Sequence, residues 1–130
     1  MTWIAIGLAG ALGALARYGL SGWVYDWAGV RMPWGTLAVN MVGCLALGAL
    51  AEATRLSGAL PLEVRAALAV GFLGAFTTFS TFGVETLRQI EAGDWIGAFG
   101  NIALNVVGGI ALAMVGVSLA RWIVSMRGLA

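Results

Sequence analysis

Residues 71–83 combine aromatic, hydroxyl and glycine residues inside an apolar part of the chain, and read Gly-Phe-Leu-Gly-Ala-Phe-Thr-Thr-Phe-Ser-Thr-Phe-Gly. The segment contains four of the five phenylalanines and four threonine or serine residues. Hydroxyls donate hydrogen bonds to anions, and aromatic ring edges carry partial positive charge. Glycine is about 1 kcal/mol less favourable than alanine inside a helix, and threonine is also weak. We expect a helix broken near its middle, because such backbone is tolerated at membrane depth where it lines a cavity or is buried in protein.

Side-chain directions along this helix separate two groups of residues. At about 100° per residue, one face of an unbroken helix would carry Phe76, Phe79 and Phe82, and the other Thr77, Ser80, Thr81 and Glu85. The aromatic residues are interpreted either as a packing stripe or as part of an anion site. A break would also free backbone carbonyls, and a bound cation is one way to satisfy them inside a membrane.

Further polar side chains lie within apolar segments, where polar residues are functional candidates by default. Asn40 follows Thr36 by one helical turn, and Asn101 and Asn105 are four residues apart, so that both face one way. Asn40 is interpreted as an interhelical hydrogen bond or as a donor facing a pathway. Arg17 is interpreted as a snorkelling side chain or as a cation that attracts anions.

These residues form a set of hydrogen-bond donors suited to an anion. We expect the carboxylates of Glu52 and Glu85 to lie near span ends, where they can stay hydrated. Histidine is absent and Cys44 is the single cysteine, which excludes a disulfide framework and a Cys/His zinc site. No catalytic constellation is visible, so we do not expect an enzyme. The net charge of +1 is too small to indicate a nucleic-acid partner.

The composition places these residues in a lipid bilayer. The 130-residue chain is 61% hydrophobic and 10% charged, whereas a soluble domain carries about 25% charged residues. A bilayer core of about 30 Å requires about 20 helical residues. Four segments meet this length, at about 2–23, 34–53, 64–87 and 95–124, and all six tryptophans lie near segment ends, as an interfacial belt requires. We therefore expect residues 1–130 to form a single all-α integral membrane domain with four transmembrane helices.

Four spans are few for enclosing a pathway within one chain. Small residues allow close helix contact within and between subunits, and we expect both, in a dimer, from Gly7, Gly10, Gly13, Gly43, Gly48, Gly108 and Gly109. With the termini inside, four arginines lie on the inner side (Arg55, Arg65, Arg121 and Arg127) and two on the outer side (Arg31 and Arg88). This weak bias is compatible with insertion in both orientations.

The motifs resemble the CrcB/Fluc family of fluoride channels. Residues 74–82, Gly-Ala-Phe-Thr-Thr-Phe-Ser-Thr-Phe, look like the family's most specific motif. Three weaker motifs are also similar: Gly13-Ala14-x-x-Arg17-Tyr18, Gly35-Thr36-x-x-x-Asn40-x-x-Gly43 and Asn105-Val106-x-x-Gly109. They occur in order across the whole chain, with the four spans and the length of the family.

The resemblance implies an antiparallel, dual-topology homodimer with two pores, a multi-pass protein of the cytoplasmic (inner) membrane. It implies passive export of fluoride and resistance to fluoride toxicity. It also implies a central structural sodium ion at the dimer interface, bound by the backbone carbonyls of Gly74 and Thr77.

Pore residues are also implied by the resemblance rather than worked out from spacing. By motif, the ring edges of Phe79 and Phe82 contact fluoride. The other implied pore residues are Thr36, Asn40, Ser80, Thr81 and Glu85, and Arg17 matches the first-helix arginine of the vestibule. The fourth helix differs, because Asn101 and Asn105 stand where the family often has tyrosine and serine, and both are kept as pore candidates.

Two other classes of function are considered. A small dimeric four-helix multidrug or cation transporter has a similar length, but that class depends on a buried glutamate in its first helix. The first span here contains Arg17 and no acidic residue. The other alternative is a membrane enzyme or assembly factor, but the sequence shows no catalytic group for such a role.

Overall fold

The computed structural model of the protein describes residues 1–29, 32–58 and 60–126, and the regular secondary structure in these ranges is helical. Arg31 and Arg127, which enter the predicted distribution of arginines, lie outside these ranges. The helices are α1 (Thr2–Ala28), α2 (Trp34–Ser57), α3 (Leu62–Ala66), α4 (Gly74–Phe76), α5 (Phe79–Glu91), α6 (Trp95–Ala103) and α7 (Gly109–Met126). Two π-helical segments, Ala67–Leu73 and Leu104–Gly108, connect α3 to α4 and α6 to α7.

Among the described residues, four helical stretches are long and apolar enough to cross a membrane, as predicted: α1, α2, Leu62–Glu91 and Trp95–Met126. Each begins within two residues of its predicted start and continues beyond its predicted end. The apolar pattern indicates only the part that crosses the hydrocarbon core, whereas hydrogen bonding carries the helix further. The first two helices end at Gly29 and Gly58, where φ is 78° and 59°, a conformation that glycine adopts without a steric penalty.

The helix starts follow local sequence rules. Pro33 and Pro61 directly precede α2 and α3, where the missing proline N–H costs nothing. The carboxylate of Asp94 accepts a hydrogen bond from the backbone N–H of Gly97 at 2.9 Å and so caps α6, as predicted.

Glycines bring the spans into close contact within the subunit. A side-chain carbon on Gly13 would overlap the carbonyl of Phe72, which packs α1 against the third span. A Cβ atom on Gly48 would lie 3.1 Å from the Cα atom of Ala113, which packs α2 against α7. Gly7 has no other atom within 4 Å of its Cβ position, so it takes no part in these contacts. Packing between subunits stays a prediction.

The expectation that Glu52 remains hydrated is wrong. Its side chain is buried and bonded to two arginines: Arg55 on the same helix at 2.8 Å and Arg121 on α7 at 2.6 Å. The carboxylate is covered because α2 and α7 pack closely at this level, and the arginines replace water as its partners.

Candidate functional site

The helical geometry of the third span is interrupted at two threonines. Helix α4 ends at Phe76, and Thr77 and Thr78 are extended, with φ/ψ of −89°/161° and −150°/111°. Helix α5 then begins at Phe79, and the Thr78 hydroxyl caps it by accepting a hydrogen bond from the Thr81 N–H at 3.2 Å. Threonine suits this position because it is β-branched and also a good N-cap.

This geometry diverts two backbone N–H groups from their helical acceptors. In a continuous helix, the N–H groups of Thr78 and Thr81 would bond to the carbonyls of Gly74 and Thr77. Here the Thr78 N–H donates to Oδ1 of Asn40 at 2.8 Å, and the Thr81 N–H donates to the Thr78 hydroxyl. The carbonyls of Gly74 and Thr77 therefore lack the donors that a helix supplies. Both residues line a cavity of about 260 Å³, which Asn40, Phe79 and Phe82 also line.

Asn40 links the second span to the extended threonines. Its amide Nδ2 donates to the Thr78 carbonyl at 3.2 Å, while its Oδ1 accepts from the Thr78 N–H. The same nitrogen lies 2.9 Å from Oδ1 of Asn105. Asn40 therefore forms the interhelical hydrogen bonds of its first interpretation, and it also lines the cavity. Its role as a donor facing a pathway stays a prediction.

Asn101 and Asn105 extend these bonds along the fourth span. Nδ2 of Asn105 donates to Oδ1 of Asn101 at 2.9 Å, and Nδ2 of Asn101 donates to the Thr86 hydroxyl at 2.8 Å. The Thr86 hydroxyl donates to the carbonyl of Phe82 at 2.8 Å. Asn101 is fully buried. A continuous series of hydrogen bonds thus runs from Thr78 through the three asparagines to α5. Asn105 also belongs to a π-helical segment, and such segments are frequent at functional sites.

The phenylalanines do not form one stripe. Phe76 is buried and stacks on Phe72, with ring centroids 6.0 Å apart and planes at 8°. Phe79 and Phe82 form a separate pair, 5.5 Å apart and tilted by 57°. Phe82 is 8% exposed whereas Phe79 is 83% exposed. The extended threonines interrupt the progression of about 100° per residue, so the projection of one unbroken helix does not describe these rings.

A second cavity, of about 390 Å³, brings together other predicted residues. It is lined by Arg17, Tyr25, Thr36, Thr81 and Glu85, among others. The Thr36 hydroxyl donates to Oε1 of Glu85 at 2.9 Å. The other carboxylate oxygen of Glu85 is buried and has no hydrogen-bond partner among the described residues. The residue as a whole is partly exposed and lines the cavity, so its expected hydration stays a prediction.

Three outcomes for site residues differ from the sequence interpretation. Ser80 is exposed and lines neither cavity. Tyr25 and Thr86 take part in the hydrogen bonding but were not among the candidates. Thr86 could have been identified from the sequence, because it follows Glu85 directly and lies one helical turn after Phe82. Tyr25 lies close to the end of α1, and no sequence pattern indicates it.

The arrangement offers amide, hydroxyl and guanidinium donors beside two cavities. Across residues 1–29, 32–58 and 60–126, no group of three His, Cys, Asp or Glu side chains is placed to bind a metal. A cation at this site would therefore bind backbone oxygens, and the Gly74 and Thr77 carbonyls fit that role because they have lost their helical donors.

Comparison with known proteins gives a family match over most of the chain. Residues 4–117 match the model of the family described as CrcB-like protein, Camphor Resistance (CrcB). A protein of Syntrophotalea carbinolica is 48% identical over 118 residues, covering 91% of this chain and 96% of the relative. Relatives from Geobacter metallireducens and Sorangium cellulosum are 46% and 42% identical, covering 93% and 95% of this chain and 98% and 97% of the relatives. All three relatives are named fluoride-specific ion channel FluC.

Proposed function

The chain belongs to the CrcB family, and from this premise we propose that it is a fluoride-specific ion channel that lets fluoride leave the cytoplasm passively. It is a channel and not an enzyme. The observation that carries the proposal is identity of 42–48% to fluoride-specific channels along almost the whole chain. Family membership supports this function over the multidrug or cation transporter.

The donors beside the two cavities are consistent with this function. Fluoride is strongly hydrated, so a pore has to replace its water with several sites that are each weak enough to release the ion. In our proposal, Asn40 and the edges of Phe79 and Phe82 supply such sites at the first cavity. Thr36, Thr81 and Glu85 continue the pathway at the second cavity, where Arg17 adds positive charge. Asn101 and Asn105 support the pore wall through their bonds to Asn40, and Ser80 is the pore candidate with the least support.

We further propose that a structural sodium ion binds the carbonyls of Gly74 and Thr77. Support comes from the diverted N–H groups of Thr78 and Thr81, which leave these two carbonyls in need of a partner. When bound, the ion would supply fixed positive charge next to the pathway. This use of a broken third helix agrees with the extended torsions of its two threonines.

The proposed assembly is an antiparallel homodimer in the inner membrane, with the sodium ion at its centre. Phe79 is compatible with an assembly of this kind, since its ring is 83% exposed in one subunit and lines the same cavity as Gly74 and Thr77, where the central ion is proposed. The weak arginine bias is compatible with insertion in both orientations.

Fluoride efflux from proteoliposomes, recorded with a fluoride electrode, tests the function. Purified protein is expected to release fluoride rapidly once a potassium ionophore balances the charge, and to pass chloride poorly under a matched gradient. Chloride flux comparable to fluoride flux would contradict the proposal.

A further inference from the structure

Three helices meet at one oxygen atom of Glu85. The Tyr25 hydroxyl on α1 donates to Oε1 at 2.8 Å, and the Thr36 hydroxyl on α2 donates to the same oxygen at 2.9 Å. The two hydroxyls are 3.3 Å apart. Hydrogen bonds to an ionised oxygen are stronger than neutral ones, so this pair of donors restricts where the carboxylate can point.

The Tyr25 ring occupies a site shaped for it. A Cβ atom on Gly35 would lie 2.5 Å from Cε2 of the ring and 2.7 Å from the carbonyl of Ser21. Only glycine leaves room for the ring between α1 and α2 at this level. The neighbouring residue is Thr36, so the ring and the second donor are positioned by the same turn of α2.

Tyr25 and Glu85 also mark a boundary between two cavities. Both line the inner cavity of about 390 Å³, which contains Arg17. Both also line an outer cavity of about 590 Å³, to which Arg88 contributes. Each cavity therefore has one arginine, and the outer cavity is also lined by the acidic residue Asp94. The hydrogen-bonded pair of Tyr25 and Glu85 stands between the two arginines.

We infer that Tyr25 is a positioning residue of the anion pathway, which with Thr36 holds the Glu85 carboxylate at the boundary between the inner and outer cavities. The inference rests on the proposed fluoride channel. Because two hydroxyls donate to Oε1, the negative charge of the carboxylate is directed towards those hydroxyls. Without the Tyr25 hydroxyl, the Thr36 hydroxyl alone holds Oε1, and Oε2 has no partner among the described residues, so the carboxylate turns more easily into the inner cavity. There its charge repels the permeating anion.

The test measures fluoride flux in proteoliposomes for Tyr25→Phe, which keeps the ring and removes only the hydroxyl. Loss of a hydrogen bond to a charged group corresponds to a change of about tenfold or more, and we expect flux to fall by about that factor. The control is Ser118→Ala, which removes an exposed hydroxyl on α7 that bonds to the carbonyl of Met114 at 2.8 Å and lines none of the three cavities. This variant is expected to conduct as the wild type does.

A double-mutant cycle separates positioning of Glu85 from a general structural effect. In the Glu85→Gln background, Tyr25→Phe is expected to change flux clearly less than it does alone, because no charge is left to position and a hydrogen bond to a neutral group is weaker. No change or a rise in flux for Tyr25→Phe alone, or an equal fall in both backgrounds, would overturn the inference. A wild-type protein that conducts no fluoride would instead refute the proposed function, and the inference with it.

Discussion

The side chain of Asn40 pairs with both backbone polar groups of Thr78, although 38 residues separate them. Its Oδ1 accepts from the Thr78 N–H at 2.8 Å, and its Nδ2 donates to the Thr78 carbonyl at 3.2 Å. An unpaired backbone group in a membrane interior costs free energy. The side-chain amide of Asn40 lowers this cost by pairing with both the N–H and the carbonyl of Thr78, at the point where the helix is interrupted. The bond to Oδ1 also takes the Thr78 N–H away from the carbonyl of Gly74. In this way Asn40 of the second span influences the proposed sodium site.

Replacing Asn40 by alanine removes both bonds to Thr78. A buried polar group left unsatisfied costs about 1–3 kcal/mol, so Asn40→Ala is expected to lower the thermal unfolding temperature in detergent and to lower fluoride flux strongly. Ser125→Ala, at an exposed site on α7, serves as the control. Unchanged stability together with unchanged flux would show that Asn40 is not needed at the extended threonines.

Replacing Phe79 or Phe82 by isoleucine removes a ring edge while keeping apolar bulk. Each variant is expected to lose most of its fluoride flux and still elute as a dimer. We expect the larger stability loss at Phe82, because its ring is buried whereas that of Phe79 is exposed. Phe99→Ile, at the one phenylalanine outside residues 71–83, is the matched control. Wild-type transport in both variants would show that the two rings serve in packing and not in anion transport.

Removal of sodium tests the role assigned to the carbonyls of Gly74 and Thr77. A ligand at 100 times its dissociation constant stabilises a protein by about 2.7 kcal/mol. Exchange of sodium for N-methyl-D-glucamine is therefore expected to lower the unfolding temperature and reduce fluoride flux, with recovery on adding sodium back. Potassium at the same ionic strength is the control for a general salt effect. An unfolding temperature that does not change between micromolar and molar sodium would argue against the site.

Gly48→Ala tests the contact between α2 and α7. The added methyl group would lie 3.1 Å from the Cα atom of Ala113, and overpacking of this kind costs about 1–3 kcal/mol. Gly22→Ala is the matched control, because its Cβ position is open and alanine is about 1 kcal/mol better than glycine in a helix. We expect the first variant to unfold at a lower temperature and the second at the same or a higher one. The opposite order would mean that the two helices pack less closely than described.

The helical spans and their starts were predictable because each depends on residues close together in the chain. Apolar stretches of about 20 residues, the prolines before α2 and α3, and the Asp94 cap act within a few residues of where they stand. The family was predictable for a related reason, since residues 74–82 carry a specific motif and the comparisons confirm it.

Partners across helices were not predictable, because they depend on the rotation and relative height of whole helices. Local rules marked Asn40 as polar at membrane depth, but only the packing of α2 against the third span gives it Thr78 as a partner. Likewise, Glu52 was expected in water, and helix contacts bury it beside two arginines. Glu85 was expected near a span end, and helix packing gives it hydroxyl donors from two other helices.

The sequence by itself determined the fold class, the family and most of the polar residues of the site, since composition and motif are properties of the chain. Only the tertiary structure decided that Asn40, Asn105, Asn101 and Thr86 bond in series and that Tyr25 holds Glu85. Hydrogen bonds between spans require donors and acceptors within about 3 Å, and residues far apart in sequence reach that distance only when the helices are packed.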